Sequence, residues 1–141
     1  MDEDTIRRAL QALSDELGAN HIQGEICLLD GTTMVLAFHA RQSTKDVDAI
    51  FSPPQAIREA AEKVRLSLDL PEHWLNDAAK GFVSAQHEVQ SYDLPQFPHL
   101  RTVAPVPEYL LAMKCMASRI GSAGEADDKA DIRFLLRHLF F

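Results

Sequence analysis

Two carboxylates stand two residues apart in the stretch Lys45-Asp46-Val47-Asp48-Ala49-Ile50-Phe51. Valine, isoleucine and phenylalanine favour a strand, and side chains along a strand alternate faces. Asp46, Asp48 and Ile50 would then share one face. Val47, Ala49 and Phe51 would share the other, which is wholly apolar and belongs in a core. The two carboxylates would stand about 6 to 7 Å apart at their Cα atoms. Left alone they repel, and partial burial would raise their pKa. A divalent cation between them removes that cost. Mg2+ takes oxygen ligands and leaves room for phosphate oxygens. Such an ion can orient groups in phosphoryl or nucleotidyl transfer. A pair of this kind also occurs at solvated strand ends, here with Lys45 or Arg41 as neighbouring cations.

Upstream, the apolar run Gly24–Leu29 ends in Asp30-Gly31 and is followed by Thr32-Thr33-Met34-Val35-Leu36-Ala37-Phe38-His39. A glycine at a strand-to-helix junction allows close backbone approach, and a helix start favours anions. A phosphate-holding turn followed by paired carboxylates on the adjacent strand makes a coherent site. Ser43 and Thr44, in the polar link between them, read as turn or capping residues. His21, His39, His73, His87, His99 and His138 have no metal-ligand spacing. Neither a Walker loop nor a Rossmann glycine pattern is present.

The elements that must position these residues follow from periodicity. Ile6, Leu10, Leu13 and Leu17 form one stripe of a helix over 4–17, started by Asp4 or Thr5 and ended by Gly18. Residues 24–29 form a buried strand, 32–39 a short buried helix and 45–51 a second strand. Pro53-Pro54 opens a helix reaching about Ser67, with Ile57, Ala60, Ala61, Val64 and Leu68 inward. Pro71 starts a short helix ending at Gly81, with Trp74 as a core anchor. Residues 100–106 form a strand, 107–120 an amphipathic helix, 121–128 a loop and 129–141 a last helix. The fold expected is α/β (α+β), a small mixed sheet flanked by helices.

The 141 residues suit one domain over 1–141, and 46% apolar with 25% charged residues is ordinary for a globular chain. The net charge of −7 argues against nucleic acid or anionic membrane binding over the whole surface. No stretch is apolar enough to span a membrane, and the acidic start Met1-Asp2-Glu3-Asp4 is unlike a targeting peptide. Cys27 and Cys115 both lie in apolar segments and read as buried, reduced thiols of a cytoplasmic protein.

Taken together, "LLDGTTMVLAF", "RQSTKDVDAIF", "LPEHWLNDAAKGF" and "PEYLLAMKCMASRI" followed by "DDKADI" resemble the minimal, polymerase-β-like nucleotidyltransferase superfamily. More narrowly they resemble its AbiEii-type toxin branch and uncharacterised relatives, over about residues 20 to 139. The resemblance implies a nucleotidyltransferase-like fold that uses Mg2+ and an NTP. Asp46 and Asp48 would be the metal-binding, catalytic acids. Asp30, Gly31, Thr32 and Ser43 would line the nucleotide. Lys114 would neutralise triphosphate charge, with Arg119 nearby. Asp131, with Asp128 as a second candidate, would orient a partner group or act as base. The acceptor would be RNA or protein, and the partners a cognate antitoxin or a second copy of the chain.

Two departures bear on activity. The family's turn is Gly-Gly or Gly-Ser, whereas here it is Asp30-Gly31 or, shifted, Gly31-Thr32. A carboxylate at Asp30 repels a triphosphate unless a cation intervenes. The strand at 100–106 also lacks the third acid found in the wider superfamily. The alternative expectation is therefore a catalytically lapsed binding protein that keeps the fold. Phe140-Phe141 would then suit a partner or dimer face.

Overall fold

The computed structural model describes residues 1–39, 42–77, 89–90, 94–119 and 125–140, with the side chains of Asp30, Gln90, Met113, Lys114, residues 116–119, residues 125–129 and Phe140 left out. Helix α1 (Glu3–Ala19) is amphipathic and buries Ile6, Ala9, Leu10, Leu13, Ser14 and Leu17. Its cap is Asp2, earlier than the expected Asp4 or Thr5. The Asp2 carboxylate accepts from the Thr5 N–H at 2.9 Å, which holds its pKa below the ordinary value. The acidic start of the chain is thus a helix cap.

Strand β1 (Gly24–Leu28) leads into α2 (Asp30–Leu36), then β2 (Val47–Ser52) and α3 (Pro54–Leu68). Helix α2 begins at Asp30, two residues before the expected start, with Leu29 extended as its cap. Pro54 opens α3, where a missing N–H costs nothing. The expected helix from Pro71 is absent over its described part. Pro71, Glu72 and His73 make a turn, and Leu75–Asn76 form strand β3. The N–H of Val47 donates to the carbonyl of Trp74, so pairing with β2 wins over helix continuation at this point. Residues 78–81 of that expected helix lie outside the described residues.

A second short strand, β4 (Val89–Gln90), precedes β5 (Leu100–Pro105), which is the strand expected at 100–106. Helices α4 (Pro107–Arg119) and α5 (Glu125–Phe140) follow. The last helix starts at Glu125, inside the segment expected to be loop.

The strands form one mixed sheet in the order β3-β2-β1-β5-β4. The central β1 is antiparallel to β2 and parallel to β5. Strand β3 is parallel to β2, the two joined through α3 as a crossover unit. The fold is therefore mixed α/β, as expected.

The sheet has one thickly covered face. Ile26 and Leu28 of β1, Val47, Ala49 and Phe51 of β2, and Leu100 and Ala104 of β5 pack with the apolar stripes of α1 and α3. Trp74, 2% exposed, closes this core, and its indole N–H donates to the Ala61 carbonyl of α3 at 3.0 Å. The opposite face carries Cys27, Leu29 and Val103 with Ile50 beside them. Away from these, Met34 of α2 packs with Leu110 of α4 and Leu135 of α5. Phe38 stands 5.7 Å from Phe134 and 5.3 Å from His138, ring centre to ring centre. Phe141 is outside the described residues, as is the Phe140 side chain, so the expected aromatic partner face falls there.

Gly18 lies inside α1, one residue before the helix ends at Ala19. The reason for a glycine is contact: a Cβ here would stand 2.3 Å from the His99 ring. His99 is itself held down, its N–H donating to the buried Ser14 hydroxyl at 3.0 Å. Gly18→Ala should therefore destabilise by roughly 1–3 kcal/mol, although alanine is the better helix former. Urea unfolding will measure the loss, and it should shrink in a His99→Ala background, where the obstructing ring is gone.

Candidate functional site

The carboxylate pair begins β2. Asp46 precedes the first strand residue and Asp48 is the second, so both keep the same side of the strand. The alternation is as the sequence implies: Val47, Ala49 and Phe51 are buried and Asp48 and Ile50 half-buried. The chemistry-bearing side chains thus point away from the α1–α3 core.

Backbone and hydroxyl contacts bind this strand end to the β1–α2 turn. The N–H of Leu29 donates to the carbonyl of Asp48 at 2.8 Å, extending the β1–β2 ladder by one residue. Asp30 and Gly31 follow at once as the first residues of α2. The Thr32 hydroxyl donates to the Asp46 carbonyl at 3.4 Å, and the Thr44 hydroxyl donates to the same oxygen at 3.3 Å. The Thr33 hydroxyl donates to the Leu28 carbonyl at 2.9 Å. Thr32 and Thr33 are fully buried, so both hydroxyls serve the local backbone. Ser43 is exposed and bridges in antiparallel fashion to Asp2. The cap residue of α1 thereby holds the link that leads into Asp46.

The strand edge contributes one residue that periodicity does not reveal. Asn76 of β3 pairs in register with Asp48, and its amide N–H donates to Oδ2 of Asp46 at 3.4 Å. No period can be read in a two-residue strand, so the only signal in the sequence was an amide shortly after the buried Trp74.

The other candidates are spread over the last two helices. Lys114 and Arg119 lie on α4 and Asp128 on α5, but their side chains are outside those described. Asp131 on α5 is 2% exposed and lies one turn before Leu135, which packs against α2 and α4. Its carboxylate therefore sits within the helix packing. Asp30 and Gly31, expected as a turn, are instead the first two residues of α2, and the structure brings them together with Asp46, Asp48 and Thr32.

Comparison with protein-family models, curated proteins and solved structures finds no match. The site must therefore be judged on its own groups. Among the described residues, no three or more His, Cys, Asp or Glu side chains gather into a metal cage. Mg2+ often binds through one or two carboxylates while keeping waters and substrate phosphates. The donor set of Asp46 and Asp48 fits that shared mode of binding. It does not fit an ion held by protein ligands alone. No helix among the described residues is long and apolar enough to cross a membrane.

The two cysteines differ, contrary to the expectation that both are buried. Cys27 lies in the apolar cluster beside Ile50, and burial pushes its thiol up from 9.0 to about 12, with Glu25 adding repulsion. Cys115 on α4 is exposed. Alkylation at mildly alkaline pH should therefore label Cys115 and spare Cys27 in the folded chain, and label both after unfolding. Mass spectrometry distinguishes the two results. The raised thiol also sets a sign. Between pH 9.0 and about 12 the unfolded chain gives up the Cys27 proton and the folded chain keeps it. Folding stability should fall as pH rises through that window. Cys27→Ala should flatten the slope there, as urea midpoints at a series of pH values will show.

Proposed function

We propose that this protein is a cytoplasmic Mg2+-dependent nucleotidyltransferase, moving a nucleotide from an NTP to an RNA or protein acceptor. The observation that carries the reading is the hydrogen bond from the Leu29 N–H to the Asp48 carbonyl, which sets the β1–α2 turn against the carboxylate pair. A turn that can approach phosphates and two acids that can share a cation with them then lie at one strand end. Bound Mg2+ would polarise phosphate oxygens and offset their charge. Asp46 and Asp48 would hold it. Asn76 holds the Asp46 carboxylate, and the Thr32 and Thr44 hydroxyls hold the Asp46 backbone. Lys114 and Arg119 would supply the triphosphate cations, and Asp131, buried in the helix packing, would orient a partner group. The toxin-type resemblance favours a cognate antitoxin or a second copy of the chain as partner.

A second reading rests on Asp30. Asp30 is the first residue of α2, and its charge has the same sign as that of a phosphate held at this helix start. On this reading the fold persists as a binding module, one member of a toxin–antitoxin or regulatory pair, without transfer activity.

Calorimetry with Mg2+ and each NTP decides between them. Under the transferase reading at least one NTP binds, and Asp48→Asn weakens it by about tenfold or more, equivalent to about 1.4 kcal/mol. Binding by no NTP, with the fold intact, removes that reading. Asp30→Gly separates the two further: a gain of NTP binding marks a lapsed site, and a loss marks Asp30 as a working ligand.

A further inference from the structure

A cavity of about 440 Å3 opens on the Phe51 side of the β2–β3 edge, between α3 and β3, and neither Asp46 nor Asp48 lines it. Its volume falls within the ~300–1,000 Å3 usual for small-molecule pockets. Phe51 and the buried Trp74 give it an aromatic floor. Its wall carries Arg58 and Arg65 from α3 and His73 from the turn before β3, with the acids Glu62 and Asp77 beside the two arginines.

Both arginines are held but not used up. Arg58 donates from Nη2 to Asp77 and lies over the Phe51 ring, 5.7 Å from its centre. Arg65 donates from Nε and Nη2 to Glu62. That ion pair lowers the Glu62 pKa and raises that of Arg65. A guanidinium carries five N–H donors. Among the described residues, Nε and Nη1 of Arg58 and Nη1 of Arg65 make no hydrogen bond. Each guanidinium is thus oriented by one acid while keeping donors for a further acceptor.

We propose that this cavity binds a small phosphomonoester, its phosphate between Arg58 and Arg65 and its organic body against Phe51 and Trp74. A phosphate has enough oxygens to meet two guanidinium forks at once. A carboxylate would only repeat the pairs that Glu62 and Asp77 already make. The aromatic floor suits a planar or apolar body rather than a bare ion. Neither carboxylate of the pair lines the site, although Asn76, which donates to Asp46, does, and the site needs no divalent cation.

Trp74 is the chain's one tryptophan, so its fluorescence reports this cavity. The test titrates phenyl phosphate, and separately inorganic phosphate, in the presence of a chelator. Phenyl phosphate should change Trp74 emission saturably and bind several-fold tighter than inorganic phosphate. Arg65→Met should abolish the response, with far-UV circular dichroism confirming the fold. Asp77→Asn should tighten binding several-fold, because it removes the carboxylate that competes for Arg58. A purely structural Arg58–Asp77 pair would predict no such gain. Asp48→Asn should leave the response unchanged, so failure here and failure of the transferase reading can be told apart. No response in either the native chain or Asp77→Asn overturns the proposal. So does a response that survives in a folded Arg65→Met variant, or equal binding of the two probes.

Discussion

The pairing of β1 with β2 is the constraint on which the remainder of the structure depends. Strand β1 is central, bonded to β2 on one side and β5 on the other. Its antiparallel register with β2 sets Leu28 opposite Ala49 and brings Leu29 onto Asp48. A slip of one residue would turn Val47, Ala49 and Phe51 out of the core and both carboxylates into it. Burying two unpaired charges is far more costly than the slip could repay. The apolar face of β2 and the placement of the acids are therefore one choice. The same register fixes where the β1–α2 turn ends relative to Asp46 and Asp48.

Trp74 ties this sheet edge to its covering helix. Its indole donates to α3, its ring fills the core, and its carbonyl accepts from Val47. Three separate interactions at one residue draw the middle of α3, the turn at His73 and the edge strand together. That junction sets Asn76 beside Asp48. It also leaves the cavity lined by Arg58 and Arg65, whose wall Asn76 joins. The two candidate ligand sites thus share a scaffold without sharing ionisable side chains.

Much of this organisation was legible from residue pattern. Helix α1, strand β1, the alternation of β2, the proline-started α3, strand β5 and the core role of Trp74 all follow from periodicity and side-chain type. The failures have physical causes. Pro71 is a good helix opener, yet the following residues turn and pair with β2, because backbone bonds to a sheet edge are a tertiary matter. The glycine at position 18 reads as a helix stop, but its reason is the His99 ring from a distant segment. Cys115 lies in an apolar run and is nonetheless exposed, because an apolar run does not fix which side of a helix packs.

For the candidate site, the residue types and their spacing determined that Asp46 and Asp48 share a side of a strand and that a short helix follows β1, although Gly31 lies inside that helix and not in a turn before it. Local geometry suffices for both, because alternation and helix preference act within a few residues. Only the tertiary structure decided that the helix start and the acids meet, that Thr32 spends its hydroxyl on the Asp46 backbone, and that Asn76 holds the Asp46 carboxylate. It alone set Arg58 and Arg65 around one cavity with Trp74. These are contacts between strands and helices far apart in the chain, chosen by which arrangement buries the shared apolar face while keeping the two strand acids out of it.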